Sequence, residues 1–205
     1  LIGFAFSNYL QVSIQGLSRS IREGQMMGTL EALLVTQTEI PTIILSSSLY
    51  SFLWTSLRVV IFLLLGVFAF GIDISGANYG AAIVIMILTI TSFSSLGIIS
   101  ASFIMIFKRG DPIAWIFTSA SWLLGGVYYP ITVLPDWLQR FSYMLPITYS
   151  LEGMRLALIR GYTFGQLSRN IYALVIFSVV MLPISVAVFR YAVRRAKMDG
   201  SLAQY

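Results

Sequence analysis

The chain has 205 residues, 58% of them hydrophobic and only 10% charged, with a mean hydropathy of +0.85. Soluble domains carry about 25% charged residues, so this chain lacks the polar side chains to cover a water-facing surface; lipid must solvate it. It has no cysteine and no histidine, which excludes a thiolate nucleophile, a disulfide, an imidazole base and a Cys/His zinc site. The eight carboxylates are scattered, none midway along an apolar run. The net charge of +5 fits cytoplasmic anchoring of a membrane protein better than nucleic-acid binding.

A hydrocarbon core of about 30 Å takes roughly 20 apolar residues in a helix. In chain order, residues 1–17, 41–72, 79–107, 112–129 and 171–191 meet or approach that length. The expected fold is therefore an all-α polytopic membrane protein with five visible transmembrane helices. The first run starts in mid-stretch, without a methionine or a secretory-signal pattern. Local signals agree with these limits: Asp111-Pro112 reads as an N-cap followed by proline at the first helical position. Pro41 can play the same part, and Asn78 and Ser168 stand at starts of their runs.

Five spans place alternate connections on alternate faces. Arg19, Arg22, Lys108, Arg109, Arg190, Arg194, Arg195 and Lys197 fall on one face. Arg140, Arg155, Arg160 and Arg169 fall on the other. The richer face is expected to be cytoplasmic, putting the C-terminus inside and residue 1 outside. We expect one further span before residue 1, hence six in the parent protein.

Two connections are informative. In residues 18–40, Ser20 and Glu23 have capping-box spacing; then Met26, Met27, Leu30, Leu33 and Leu34 form a helical apolar stripe. This predicts a cytoplasmic amphipathic helix over residues 20–35, lying on lipid or docking a partner. The outer connection, 130–167, follows the helix-weakening Gly125-Gly126 and contains Pro130, Pro135 and Pro146. Asp136 can cap one short helix, and Thr148 another that runs to about Arg160 and stops at Gly161. Tyr128, Tyr129, Trp137, Tyr143 and Tyr149 suit the headgroup level. The pattern predicts a re-entrant helical hairpin dipping back from the outer surface, its non-helical backbone buried in protein or lining a watery cavity.

The segment Glu23…Gly28-Thr29-Leu30-Glu31-Ala32-Leu33-Leu34-Val35-Thr36 resembles the cytoplasmic coupling segment of type-two ABC exporter permeases (ABC-2 type transporters). Tyr129 to Leu138 and Leu145-Pro146-Ile147-Thr148-Tyr149…Arg155 resemble the outer hairpin before that family's last span. The similarity covers essentially the whole chain, 1–205, as one transmembrane domain. The family's first span and N-terminal amphipathic helix have no counterpart here, and Gln37 stands where family members often have proline. The resemblance implies a permease subunit in the cytoplasmic (inner) membrane that exports drug, antibiotic, lipid or polysaccharide-type cargo. It implies Glu23, Gly28, Thr29 and Glu31 as ATPase-coupling residues and a second permease subunit, identical or different. No Walker A loop occurs in the chain, so no cofactor is expected on it; ATP and magnesium would sit on an ABC ATPase, either a separate subunit or another part of a longer polypeptide.

Arg58 is the one charge well inside a span. A central arginine costs roughly 2.5–3.5 kcal/mol on insertion scales, so it reads as a contact to anionic substrate or lipid headgroup, or as a structural hydrogen bond to another helix. Gly97 and Ala101 form a small-xxx-small pair suited to close helix packing. Glu152 and Arg155, at i and i+3, read as a structural ion pair or as an outer gate. The alternative function is an ion-coupled secondary transporter or channel, for which acidic residues inside spans are expected and absent here. An intramembrane enzyme lacks its chemical groups.

Overall fold

The computed structural model of the chain describes residues 2–27, 76–107 and 111–198, and between them 53–55, 57, 60, 61, 64 and 65. Six helices carry most of this: α1 (Ile2–Met26), α2 (Tyr79–Phe107), α3 (Pro112–Leu124), α4 (Asp136–Ser142), α5 (Pro146–Ile159) and α6 (Ser168–Met198). A single 3-10 turn, Ile131–Val133, precedes α4. No strand occurs among the described residues. Most of the expected span 41–72, most of the coupling helix, and Gly28, Thr29, Glu31 and Arg58 lie outside the described residues.

Helix α2 is the hub. A Cβ on Gly97 would collide with the Ser13 carbonyl oxygen of α1, so the two backbones touch there. This is the close approach that a small-residue pair permits. Further along, Ile98, Ala101 and Met105 join Ile21 of α1 and Phe189, Ala192 and Val193 of α6 in one buried cluster. Nearer the start of α2, Ser92 Oγ lies 3.0 Å from Ser178 Oγ of α6. Residue numbers rise together along all three helices, so α1, α2 and α6 run parallel. That is the order expected if they are alternate spans of one chain.

Two described helices are long and apolar enough to cross a bilayer: Tyr79–Phe107, and Ser168–Ala196 within α6. Half of the most apolar stretch of the first is buried, against 17% of the second; α2 is therefore central and α6 peripheral. Ile176, Val179, Val180 and Ile184 of α6 are exposed, a contiguous apolar surface that water would not tolerate and lipid would. Helix α1, with 25 residues, is about 37 Å long at ~1.5 Å per residue. Its inward polar groups include the buried Ser7, Ser13 and Ser18.

Several expected boundaries move. The run 112–129 is helical only to Leu124, and 13 residues reach about 20 Å, short of a ~30 Å core. Gly125 ends it and Gly126 takes φ +77, a conformation glycine adopts without steric cost. Ser20 and Glu23 do not start a separate helix: α1 passes through both without a break, because no proline or positive-φ turn interrupts residues 17 to 23. Pro135 and Leu145, rather than Asp136 and Thr148, precede α4 and α5. Pro146 supplies the pre-set φ at the first position of α5, and Thr148 instead donates from inside the helix to the Ser142 carbonyl at 2.6 Å.

Other signals hold. Asp111 accepts from the Ala114 N–H at 2.8 Å, with Pro112 opening α3. Asn78 accepts from the Ala81 N–H at 3.1 Å and donates to the Tyr162 carbonyl at 3.1 Å. Gly161 ends α5 with φ +63, packed on the Gly76 carbonyl.

Candidate functional site

Two regions carry candidate chemistry, at opposite ends of the parallel helices. At one end α1 finishes in Arg22, Glu23, Met26 and Met27, all exposed. Glu23 lies 4.0 Å from Arg19 one turn back, a surface pair of small energetic weight. Of the expected coupling residues, the structure thus places Glu23, on an exposed and continuous helix. The same end gathers a buried polar chain. Ser18 Oγ of α1 lies 3.0 Å from Ser100 Oγ of α2, and Ser100 donates to both carboxylate oxygens of Asp111. Asp111 meanwhile caps α3, so three helices meet at one carboxylate.

At the other end the 130–167 hairpin folds onto the start of α2. Thr89 Oγ1 lies 2.8 Å from Ser150 Oγ of α5, and the Asn78 N–H donates to the Ala157 carbonyl at 2.9 Å. Gly153 leaves α5 flat enough to approach Ile85 of α2 and Asn170 of α6. These contacts bury Ile147, Leu151 and Ala157 fully or nearly so. Helix α5 therefore belongs to the bundle's core.

Between α5 and the Gly125–Thr132 turn lies a cavity of about 430 Å³. Ile131, Leu151 and Ile159 give it an apolar wall, and Glu152, Arg155 and Arg160 supply charge. Arg155 donates to the Gly126 carbonyl at 3.0 Å. Burial lowers its pKa from the ordinary guanidinium value, but a guanidinium starts so high that it stays cationic. Glu152 turns to α6, where the Asn170 amide donates to it at 3.1 Å. The expected Glu152–Arg155 ion pair does not form: one side chain is held by the α6 amide, the other by a backbone carbonyl across the cavity. Both residues nevertheless line the same space.

Sequence reasoning missed three participants. Arg160 joins the cavity wall because α5 ends one residue before it. Asn170 was hidden at the head of an apolar run, where a lone amide is the available signal. Gly126 contributes a carbonyl, which no residue-type pattern announces. Beside them, Arg169 lies over the Tyr143 ring at 5.1 Å, a cation–π contact that fixes α4 against α6. Among the described residues, no three Asp or Glu side chains gather into a metal site.

A search of curated proteins returned no match. The family model for the ABC-2 type transporter matches residues 1–159, from α1 through the whole of α5. The chain accordingly belongs to the ABC-2 type transporter family, whose members are multi-pass membrane permeases of ABC transporters.

Proposed function

We propose that this chain is the permease subunit of an ATP-driven exporter, paired with a second permease subunit and driven by a separate ATPase that binds ATP and magnesium. One observation carries the coupling part of this reading. Helix α1 runs unbroken from the bundle to Met26, so a push at its exposed end travels along a stiff rod to Ser13, where it bears on the α2 backbone at Gly97. Glu23 stands at that end, and Gly28, Thr29 and Glu31 follow directly in sequence; these four would seat the ATPase.

The cavity hairpin would close the far end of the route, with Glu152 and Arg155 as its gate. Arg58 would meet cargo on the second span. Drugs, antibiotics, lipids and polysaccharides are the cargo classes in view. The chain would sit in the cytoplasmic membrane with its C-terminus inside.

Because the chain has no cysteine, Met27→Cys provides one unique crosslinking point. In membranes that also contain the ATPase, a short thiol crosslinker is expected to join the two from Met27→Cys and not from Phe164→Cys. Crosslinking from Phe164→Cys alone would reverse the orientation. No crosslink from either position, with both proteins present, would favour an ion-coupled transporter without an ATPase.

A further inference from the structure

We infer that the cavity between α5 and the Gly125–Thr132 turn binds the phosphate headgroup of an anionic membrane lipid, with Arg155 as its principal ligand and Arg160 at its mouth. Arg155 is half-buried. Its one bond to Gly126 leaves most of its five N–H donors without a protein acceptor among the described residues. The carboxylate on the same helix, Glu152, also lines the cavity, but it accepts from the Asn170 amide and leaves Arg155 without an ion-pair partner there. A half-buried guanidinium without an anion is a costly arrangement, and a phosphate matches its forked donors.

The remaining geometry selects a lipid. The volume of about 430 Å³ lies within the range of small-molecule sites, roughly 300–1,000 Å³. Its wall of Ile131, Leu151 and Ile159 offers apolar surface beside the cation, as a headgroup with its first chain carbons requires. Exposed Tyr128 and Trp137 flank this end of the molecule, and such aromatic side chains sit at headgroup depth. The inference depends on the hairpin lying at a membrane face. It does not depend on export or on an ATPase.

The test uses the full-length protein in neutral detergent and reads thermal unfolding with added short-chain phosphatidic acid, short-chain phosphatidylcholine or inorganic phosphate. Wild type is expected to be stabilised by phosphatidic acid well beyond phosphatidylcholine. Arg155→Gln should weaken phosphatidic acid binding by at least about tenfold, as losing a charge-assisted hydrogen bond does. Arg155→Lys should recover part of the loss, while Arg140→Gln, on α4 and outside the cavity, should leave binding within about twofold of wild type. If Arg155→Gln does not fold, Arg160→Gln serves instead; its side chain is exposed, and about a threefold loss is expected.

Equal binding by wild type and the cavity variants overturns the proposal. So does equal stabilisation by phosphatidylcholine, or a loss in Arg140→Gln as large as in Arg155→Gln. If inorganic phosphate binds as tightly as phosphatidic acid, the site takes free phosphate and the lipid assignment falls. Retention of the ATPase by Arg155→Gln, measured alongside, separates this result from any failure of the coupling reading.

Discussion

Gly97 of α2 lies against the carbonyl oxygen of Ser13 of α1, so closely that no β-carbon fits between them. The Ile14 Cα is also close, 3.2 Å from where that carbon would be. This one glycine sets the spacing of the two helices and places Ser18 opposite Ser100 one turn later. Gly97→Leu is expected to destabilise the protein by at least about 1–3 kcal/mol, the usual cost of overpacking. A lowered unfolding temperature in detergent would show it. Gly165→Ala, with open space around it, should change little.

The Ser18–Ser100–Asp111 chain ties α1, α2 and the start of α3 together. Asp111→Ala removes both the α3 cap and the acceptor for a buried hydroxyl. The expected cost is about 2–4 kcal/mol, from a cap at ~1 and an unsatisfied buried group at ~1–3. Ser100→Ala and Asp111→Ala should be non-additive by more than about 0.5 kcal/mol, as contacting residues are. A double-mutant cycle on unfolding free energies measures this directly, and strict additivity would mean the two groups do not interact.

Asn78 and Gly161 pin the 130–167 hairpin to the start of α2 and the turn before it. Asn78→Ala loses the α2 cap and the bond to Tyr162, at about 1–2 kcal/mol. Gly161→Ala forces a side chain into a positive-φ position and onto the Gly76 carbonyl, at about 1–2 kcal/mol for the conformation alone. Both changes should increase protease cutting between residues 160 and 167 before they lower the global unfolding temperature.

Parallel α1, α2 and α6 make a statement about sidedness. Single Met26→Cys and Met198→Cys variants should react with an impermeant thiol reagent from the same face of sealed vesicles. Phe164→Cys, exposed on the hairpin, should react from the other. Labelling of Met26→Cys and Met198→Cys from opposite faces would break the parallel arrangement.

Much of this was readable because it was written in local chemistry. Asp111-Pro112 and Asn78 announced helix starts through side chains that satisfy their own backbone, and Gly161 announced an end through a conformation few other residues accept. Gly125-Gly126 marked the break after α3, yet hydropathy carried the expected span on to residue 129, since Val127, Tyr128 and Tyr129 are apolar whether helical or not. The capping-box spacing of Ser20 and Glu23 misled for a related reason: it is a pattern of residue types, and an uninterrupted helix satisfies the same donors through its backbone. Glu152 and Arg155 shared a helix face as spacing required. What decided their partners was Asn170 and the Gly126 carbonyl, 18 and 29 residues away, beyond the reach of helical periodicity.

Co-purification tests most directly whether the end of α1 is where an ATPase docks. The full-length protein should be isolated in detergent after co-expression with candidate ABC ATPase subunits from the same genome, as wild type and as Gly28→Trp and Glu31→Arg. Wild type is expected to retain the ATPase, and both variants to lose it while eluting as folded protein with unchanged unfolding temperature. An ATPase that stays bound to both variants, or that never associates with wild type, would contradict the coupling assignment.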